Sequence, residues 1–299
     1  MGKIAFVFSG QGDQYPGMGK ELAEKYPAAA HVFEMCDGLR PGTTAQCFDG
    51  TEEELKETKN TQPCLFAMEL AAASVLMEKG IIPDSVAGFS LGEVVAATVS
   101  GIFDNETGFQ LVCKRGEMMQ REAEKFDTSM AAVVKLSPEQ VQEVCAKYSD
   151  MYPVNFNSPG QITVSGLSEQ MAGFSKDVRA AGGKAIPLKV KGAFHSPFMN
   201  KVAEAFAEEL ARVEIKERSI TLYSNMTAEP YTDDVVGLLS NQICNPVQWE
   251  KIVRNMIDSG VDTFIEIGPG KTLANLTKRI SADVRAVSVS DYLAEVEAC

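Results

Sequence analysis

The 299-residue sequence carries 28 Lys and Arg against 41 Asp and Glu, a formal net charge of −13 at pH 7. Nucleic acid and anionic membranes are bound by basic surfaces, so this balance argues against both as partners. The 45% of hydrophobic residues is ordinary for a globular protein, and the length suits one large domain with a smaller one. The apolar start, Met1 to Ser9, is too short for a secretion signal, and the sequence has no run of about 18 uncharged apolar residues. We therefore expect a cytoplasmic protein.

Strands and helices alternate along most of the chain. Residues Ile4 to Phe8 form a continuous apolar run, which predicts a buried parallel strand. Further strands are predicted at 85–88, 220–224 and 263–267, and helices at 62–79, 93–100, 107–125, 203–213 and 249–259. This alternation predicts an α/β domain with a mostly parallel sheet.

The middle of the chain follows a different order. The sequence predicts a strand at 130–136, a helix at 138–148, strands at 153–156 and 162–165, a helix at 169–181 and a strand at 184–190. This β-α-β-β-α-β order is ferredoxin-like. We therefore predict a small ferredoxin-like domain at 127–192, inserted into a large catalytic α/β domain made of 1–126 and 193–299. The active cleft is expected where the two domains meet.

Ser90 is the candidate nucleophile. It lies in Gly88-Phe89-Ser90-Leu91-Gly92, a G-x-S-x-G pattern between a predicted strand and a predicted helix. The pattern is typical of a nucleophile elbow, in which flanking glycines permit a tight turn that exposes the serine hydroxyl. An ordinary glycine-containing turn from strand to helix is the alternative.

The sequence contains two histidines, so a serine nucleophile that needs an imidazole base must use His31 or His195. His31 lies in a predicted helix, where a lone histidine is most often a packing or capping residue. His195 follows a predicted strand and stands between Gly192 and Pro197, in an irregular loop that suits a catalytic base. A structural role in that loop is the alternative for His195.

The seven cysteines show no C-x-x-C pair and no spacing that joins them to a histidine. They therefore predict neither a metal site nor a disulfide framework, and they favour a reducing compartment.

Several ordered motifs together resemble the malonyl-CoA:acyl-carrier-protein transacylases and the related acyltransferase domains of fatty acid and polyketide synthases. The resemblance spans almost the whole chain and implies an α/β-hydrolase-like large domain. The motifs are Phe8 to Gln14 with Pro16 to Gly19, Thr61 to Pro63, Gly88 to Glu93, Arg115 to Gln120, Asn157 to Gln161, Ala193 to Ser196, Asn245 to Trp249 and Gly268 to Gly270.

The resemblance implies a role for each matching residue. Ser90 would be acylated with His195 as its base, and the backbone carbonyl of Gln242, in place of an Asp, would orient that base. The backbone N–H groups of Gln11 and Leu91 would form the oxyanion hole. The substrate-binding residues implied are Arg115, which would hold the malonyl carboxylate, with Gln62, Met119, Asn157 and Phe194.

Physical chemistry makes these roles reasonable. A buried guanidinium binds a planar carboxylate through two parallel hydrogen bonds, which would select malonyl over acetyl at Arg115. A salt-bridged surface arginine is the alternative for this residue. Phe194 matches the malonyl-type signature, because a large ring would block a 2-methyl substituent.

Phe89 departs from the family pattern, which usually has histidine immediately before the nucleophile. The ring keeps the bulk of that side chain but loses its imidazole. Any hydrogen bond that the histidine would make must be absent or replaced.

The resemblance also implies the partners, malonyl-CoA as acyl donor and an acyl carrier protein as acceptor, and it implies no cofactor. Carrier proteins of this kind are acidic, so basic residues should gather at the cleft mouth. The candidates are Lys189, Lys191, Lys271, Lys278 and Arg279. A monomer is expected.

Three alternative functions remain open at this stage. They are a discrete acyltransferase that serves a polyketide synthase in trans, a serine thioesterase or related hydrolase, and a module that binds carrier protein without catalysis.

Overall fold

The computed structural model describes residues 2–298, apart from the side chains of Lys189 and Lys191. Its nine strands form two separate sheets. The strands are β1 Lys3–Phe8, β2 Ser85–Gly88, β3 Thr128–Val134, β4 Met151–Ser158, β5 Gln161–Leu167, β6 Lys184–Lys191, β7 Thr221–Tyr223, β8 Val261–Ile267 and β9 Arg285–Ser288.

Fourteen α-helices are found within the described residues. They are α1 Lys20–Lys25, α2 Pro27–Leu39, α3 Thr43–Asp49, α4 Glu52–Lys56, α5 Thr58–Glu78, α6 Gly92–Val99, α7 Asn105–Ala123, α8 Pro138–Cys145, α9 Ser168–Ala180, α10 Asn200–Leu210, α11 Val235–Asn241, α12 Trp249–Asp258, α13 Thr272–Ile280 and α14 Val289–Ala298. A single 3-10 turn, Pro197–Met199, precedes α10.

The larger sheet has five parallel strands in the order β7-β2-β1-β8-β9. Its central strands are largely apolar and are buried toward their carboxyl ends, as expected for a parallel sheet covered by helices on both faces. Apolar side chains from β1, α5, α6 and α7 form the main core on one face, and those of α12 and α13 pack on the other. The carboxyl ends of β7, β2, β1 and β8 therefore lie along one edge, where α/β folds place their sites.

The smaller sheet has four antiparallel strands in the order β4-β5-β3-β6. With α8 and α9 it forms the β-α-β-β-α-β unit, which has its own apolar cluster. The predicted fold class is confirmed. The division at 127 and 192 into two domains stays a prediction.

The predicted elements at the site agree with the structure to within four residues, and the largest difference is at α5. The hydrophobic periodicity predicts its start at Gln62. The helix begins at Thr58 instead, and Pro63 lies inside it. The Thr58 N–H, which has no partner within the helix, donates to Gln120 Oε1 at 2.8 Å.

Candidate active site

Ser90 lies in a strained turn between β2 and α6. Its φ of 56° is in the left-handed region, which is rare for a residue other than glycine. The two flanking glycines have no room for a side chain. A Cβ on Gly88 would come within 1.8 Å of the Gly92 carbonyl carbon, and one on Gly92 would come within 2.4 Å of the Phe8 oxygen. The G-x-S-x-G sequence thus forms an elbow whose close approaches require both glycines.

His195 meets Ser90 in this elbow. Its Nε2 lies 2.8 Å from Ser90 Oγ, and its Nδ1 lies 2.7 Å from the backbone oxygen of Gln242. A carbonyl oxygen only accepts, so Nδ1 carries the proton and Nε2 is free to accept the serine hydroxyl. His31, the other histidine, is exposed on α2 beside Glu34. The structure therefore brings together the serine and the histidine that the sequence favours.

The protonation state of His195 suits a base. Its burial, and secondly the nearby charge of Arg115, lower its pKa to about 4. The imidazole is consequently neutral at physiological pH and can accept a proton.

Arg115 lies on α7 with its side chain fully buried. Its Nη1 donates to Gln62 Oε1 at 2.8 Å, and its Nη2 donates to Ser90 Oγ at 3.2 Å and to Gln242 Oε1 at 3.1 Å. Its Nε has no hydrogen-bond partner within the described residues. Burial lowers its pKa to about 10, which leaves it charged at neutral pH. A buried cation that is bonded only to neutral groups is an attractive site for an anion.

Gln242 contacts all three of these residues. In addition to the carbonyl that faces His195, its side-chain oxygen accepts from Arg115 and its Nε2 donates to the Ser90 backbone oxygen at 2.9 Å. Sequence reasoning proposed only the carbonyl contact. The side-chain contacts were missed, because nothing in the local sequence around α11 indicates them.

The other four predicted substrate-binding residues make the following contacts. Gln62 joins Arg115 to Met119, since its Nε2 lies 3.3 Å from Met119 Sδ. Asn157 lies on β4, where its Nδ2 donates to Thr163 Oγ1 at 3.1 Å, and its Oδ1 has no partner within 2–298. Phe194 is buried, and its ring lies over the backbone of Gly192. Substrate contact by these residues stays a prediction.

Gln11 and Leu91 are the predicted oxyanion-hole donors. Leu91 is the N-cap residue of α6, and Gln11 follows β1, the neighbour of β2 in the sheet. Within residues 2–298 neither backbone N–H is paired with another group of the chain. The Leu91 N–H lies at a helix start, a position that is suited to bind an oxyanion. The role of both residues in the oxyanion hole stays a prediction.

Phe89 packs against Trp249, with ring centroids 5.6 Å apart. A Cβ on Gly10 would lie 2.9 Å from the Phe89 ring, so this ring also lies against the loop that carries Gln11. The residue before the nucleophile in this chain therefore makes aromatic packing contacts.

A cleft of 720 Å³ lies between the first turn of α5, the end of α7 and the smaller sheet. Thr58 and Gln120 line one side, and Thr128 and Ser129 of β3 line the other. Thr58 Oγ1 accepts a hydrogen bond from Gln11 Nε2 at 3.5 Å, so one lining residue of the cleft contacts the Gln11 side chain. Ser90, His195 and Arg115 are not among its lining residues, so its role as the substrate entrance stays a prediction.

Sequence reasoning missed Asn225, whose side chain accepts a hydrogen bond from the Ser90 N–H at 2.8 Å. Asn225 is the second residue after β7, which pairs with β2, the strand that leads into the nucleophile. A polar residue at the end of a strand beside the elbow was the available signal.

Within the described residues, no cluster of three or more His, Cys, Asp or Glu could hold a metal ion. The described cysteines are free thiols. No helix within 2–298 is both long and apolar enough to cross a membrane.

The chain is similar to known proteins over nearly its whole length. Residues 5–294 match the family model described as an acyl transferase domain. The chain is 38% identical to the malonyl CoA-acyl carrier protein transacylase of Bacillus subtilis, over 97% of this chain and 94% of the relative. The structure of the transacylase of the same name from Clostridium perfringens covers 99% of this chain and 98% of its own, at 34% identity and a TM-score of 0.94.

A third relative was solved with a partner. It is a malonyl-transacylase in complex with a type II PKS acyl-carrier protein, and it is similar at 32% identity and a TM-score of 0.95, covering 99% of this chain and all of its own. The chain belongs to the acyl transferase domain family, and within it to the malonyl CoA-acyl carrier protein transacylases.

Proposed function

We propose that this chain transfers a malonyl group from malonyl-CoA to the phosphopantetheine thiol of an acyl carrier protein, through a malonyl ester on Ser90. The observation that carries the proposal is the position of Ser90 Oγ, 2.8 Å from the Nε2 of a neutral imidazole and 3.2 Å from a buried guanidinium nitrogen. A nucleophile with its base and a carboxylate anchor are thus close to one another.

In the first half-reaction, His195 takes the hydroxyl proton while Ser90 Oγ attacks the thioester carbonyl carbon. The carbonyl oxygen becomes an oxyanion, which the N–H groups of Gln11 and Leu91 would stabilise. In comparable sites one such donor contributes about 2.7 to 4 kcal/mol to the transition state. The carbon–sulfur bond then breaks, and the imidazolium gives its proton to the departing coenzyme A thiolate.

Arg115 selects the acyl group in this proposal. Its guanidinium would bind the free carboxylate of malonyl, with Gln62 holding Nη1 in place. An acetyl group has no charge to offer, so it would leave the buried cation without an anionic partner.

The second half-reaction repeats these steps with a different thiol. His195 takes the proton of the carrier's phosphopantetheine thiol, and the sulfur attacks the carbonyl carbon of the ester on Ser90. The bond from that carbon to Ser90 Oγ then breaks, and the imidazolium returns its proton to Oγ. Every group that takes part in these steps belongs to the side chains, the backbone N–H groups or the two substrates. The proposed reaction therefore needs no cofactor.

The carrier protein would approach the cleft mouth through basic residues. Lys278 is exposed and is the best of the candidates. Lys271 is paired with Asp291 at 2.7 Å, and Arg279 donates to Gln161 on β5 at 2.7 Å, so both are already engaged. The side chains of Lys189 and Lys191 lie outside the described residues.

Three further expectations belong to this proposal. The net charge of −13 and the pattern of free thiols support a cytoplasmic location. We also propose that 127–192 forms an inserted domain between two parts of the catalytic domain, 1–126 and 193–299. We propose a monomer as the active form.

A polyketide carrier is a specific second candidate for the acceptor, because one relative was solved with a type II PKS acyl-carrier protein. The chemistry at Ser90 is the same for both carriers. Side-by-side transfer rates to a fatty acid carrier and a polyketide carrier would distinguish them.

The test is to mix the enzyme with malonyl-CoA and a carrier protein that bears phosphopantetheine. We expect malonyl-carrier to accumulate, with free malonate formed much more slowly. Rapid release of malonate that the carrier does not suppress would identify a hydrolase instead. Carrier binding with neither product would identify a non-catalytic module.

A further inference from the structure

Asn225 bridges the two peptide groups on either side of Phe89. Its Nδ2 donates to the Gly88 backbone oxygen at 2.5 Å, and its Oδ1 accepts from the Ser90 N–H at 2.8 Å. Both peptide groups belong to the strained turn that presents the nucleophile. Only 1% of Asn225 is exposed, so water does not replace these bonds.

The backbone of Asn225 is itself held on both sides. Its N–H donates to Glu93 Oε1 at 2.9 Å, and its carbonyl accepts from the Gln248 N–H at 2.8 Å. The same Glu93 oxygen accepts from the Tyr231 hydroxyl at 2.8 Å. These contacts connect β7, α6 and the start of α12 around the side chain of Asn225.

The chemistry of the turn requires an amide at this position. A left-handed conformation at a residue other than glycine costs on the order of 1 to 3 kcal/mol and persists only where its surroundings hold it. The Gly88 carbonyl needs a donor, and the Ser90 N–H needs an acceptor. A neutral amide supplies both at once, whereas an ionised carboxylate only accepts and an apolar side chain supplies neither.

We propose that Asn225 is a positioning residue for acyl transfer, which fixes the turn so that Ser90 Oγ stays within hydrogen-bond reach of His195 Nε2. The inference rests on the proposed function, because it concerns the rate at which Ser90 is acylated. Asn225 touches neither the base nor the guanidinium, so it acts through the backbone of Ser90. A displacement of about 1 Å at a nucleophile costs on the order of 100-fold in rate.

The test compares Asn225→Ala with a control, Asn255→Ala. Asn255 lies on α12, and its Nδ2 donates to the Ala228 backbone oxygen at 2.9 Å, a contact of similar type away from the elbow. The readouts are the single-turnover rate of Ser90 malonylation by intact mass, the KM for malonyl-CoA and the thermal midpoint. For Asn225→Ala we expect the acylation rate to fall about 100-fold while KM changes less than threefold. For Asn255→Ala we expect a lower thermal midpoint with an unchanged rate.

Asn225→Asp provides a second variant that keeps the size of the side chain. A protonated carboxyl can accept from the Ser90 N–H and donate to the Gly88 oxygen, so the acylation rate should rise as the pH falls from 8 to 6. The titratable groups that face this position are Glu93 and Tyr231, and Glu93 lies in turn near Arg115. Burial raises the pKa of Glu93 to about 8, which indicates that this pocket favours a neutral carboxyl. His195 is neutral throughout this range, and the native rate contains any effect of Glu93 titrating near 8, so it is the reference for the rise in Asn225→Asp.

The inference is overturned if both variants acylate Ser90 within threefold of the native rate, or if the loss lies in KM alone. A native enzyme that forms no malonyl adduct would overturn the proposed function instead. A native enzyme that acylates normally, with Asn225 variants that do so equally well, would overturn only the role of Asn225.

Discussion

Arg115 Nη2 donates a hydrogen bond to Ser90 Oγ, the same oxygen that the base must activate. In the absence of substrate this bond occupies a lone pair of the nucleophile and withdraws electron density from it. A carboxylate is a stronger acceptor than a hydroxyl. Malonyl binding should therefore draw the guanidinium away from Ser90 at the moment when the serine is needed.

Arg115→Met separates this contact from recognition of the carboxylate. Charged hydrogen bonds contribute about 1.5 to 3 kcal/mol each, so we expect the preference for malonyl-CoA over acetyl-CoA to fall about 100-fold or more. Labelling of Ser90 by phenylmethylsulfonyl fluoride, which is uncharged, should be as fast as in the native enzyme or faster. Both rates are followed by intact mass. An equal loss of malonylation and sulfonylation would contradict this account of Arg115.

The pH dependence of the same labelling reaction reports on the base. His195 has its pKa lowered to about 4, so the neutral fraction, and with it the rate, should be lost only as the pH falls through that value. Removing the guanidinium in Arg115→Met removes one of the two causes, and the acid limb should move upward toward 6.5. His31→Gln is the control, because that residue is exposed and should leave the profile unchanged. A native acid limb near 6.5 would contradict the lowered pKa of His195.

Gln242→Leu tests the side chain of Gln242 without touching its backbone carbonyl. The bond to His195 Nδ1 is kept, whereas Arg115 and the Ser90 oxygen each lose a partner. We expect the KM for malonyl-CoA to rise about tenfold or more, since one charged hydrogen bond is lost. The acid limb of sulfonylation should stay where it is. A shifted acid limb with an unchanged KM would contradict this account, because it would show that the Gln242 side chain acts on His195 and not on Arg115.

Gly92→Ala tests the tightness of the elbow. The new methyl group would lie 2.4 Å from the Phe8 oxygen, so α6 must move away from β1. We expect a loss of about 1 to 3 kcal/mol in the free energy of unfolding, measured by urea denaturation. Gly38→Ala is the matched control. It lies in α2 with nothing within 4 Å of the new Cβ, and it should gain up to about 1 kcal/mol. Equal effects at the two glycines would show that the elbow has spare room.

Much of this site could be predicted from the sequence, because its main parts leave local signals. The glycines around Ser90 and the loop around His195 mark strained backbone, and both residues do have positive φ. Because the chain has two histidines, only His31 and His195 could serve as the base.

The remaining contacts depend on which strands become neighbours. Asn225 reaches Ser90 because β7 pairs with β2, and Phe89 reaches Trp249 across the end of the same sheet. Neither partner lies near in sequence, and no periodic pattern specifies strand order. The helices α1, α3 and α4 were also not predicted, because each has seven residues or fewer and depends on tertiary contacts for its stability.

The central claim is that Ser90 carries the malonyl group between coenzyme A and the carrier. The most direct measurement is the intact mass of the enzyme after incubation with malonyl-CoA alone, for the native chain and for Ser90→Ala. We predict one malonyl adduct on the native chain, its absence in Ser90→Ala, and its removal when carrier protein is added. An adduct that persists in Ser90→Ala, or a native chain that gives malonyl-carrier without ever gaining mass, would contradict the account.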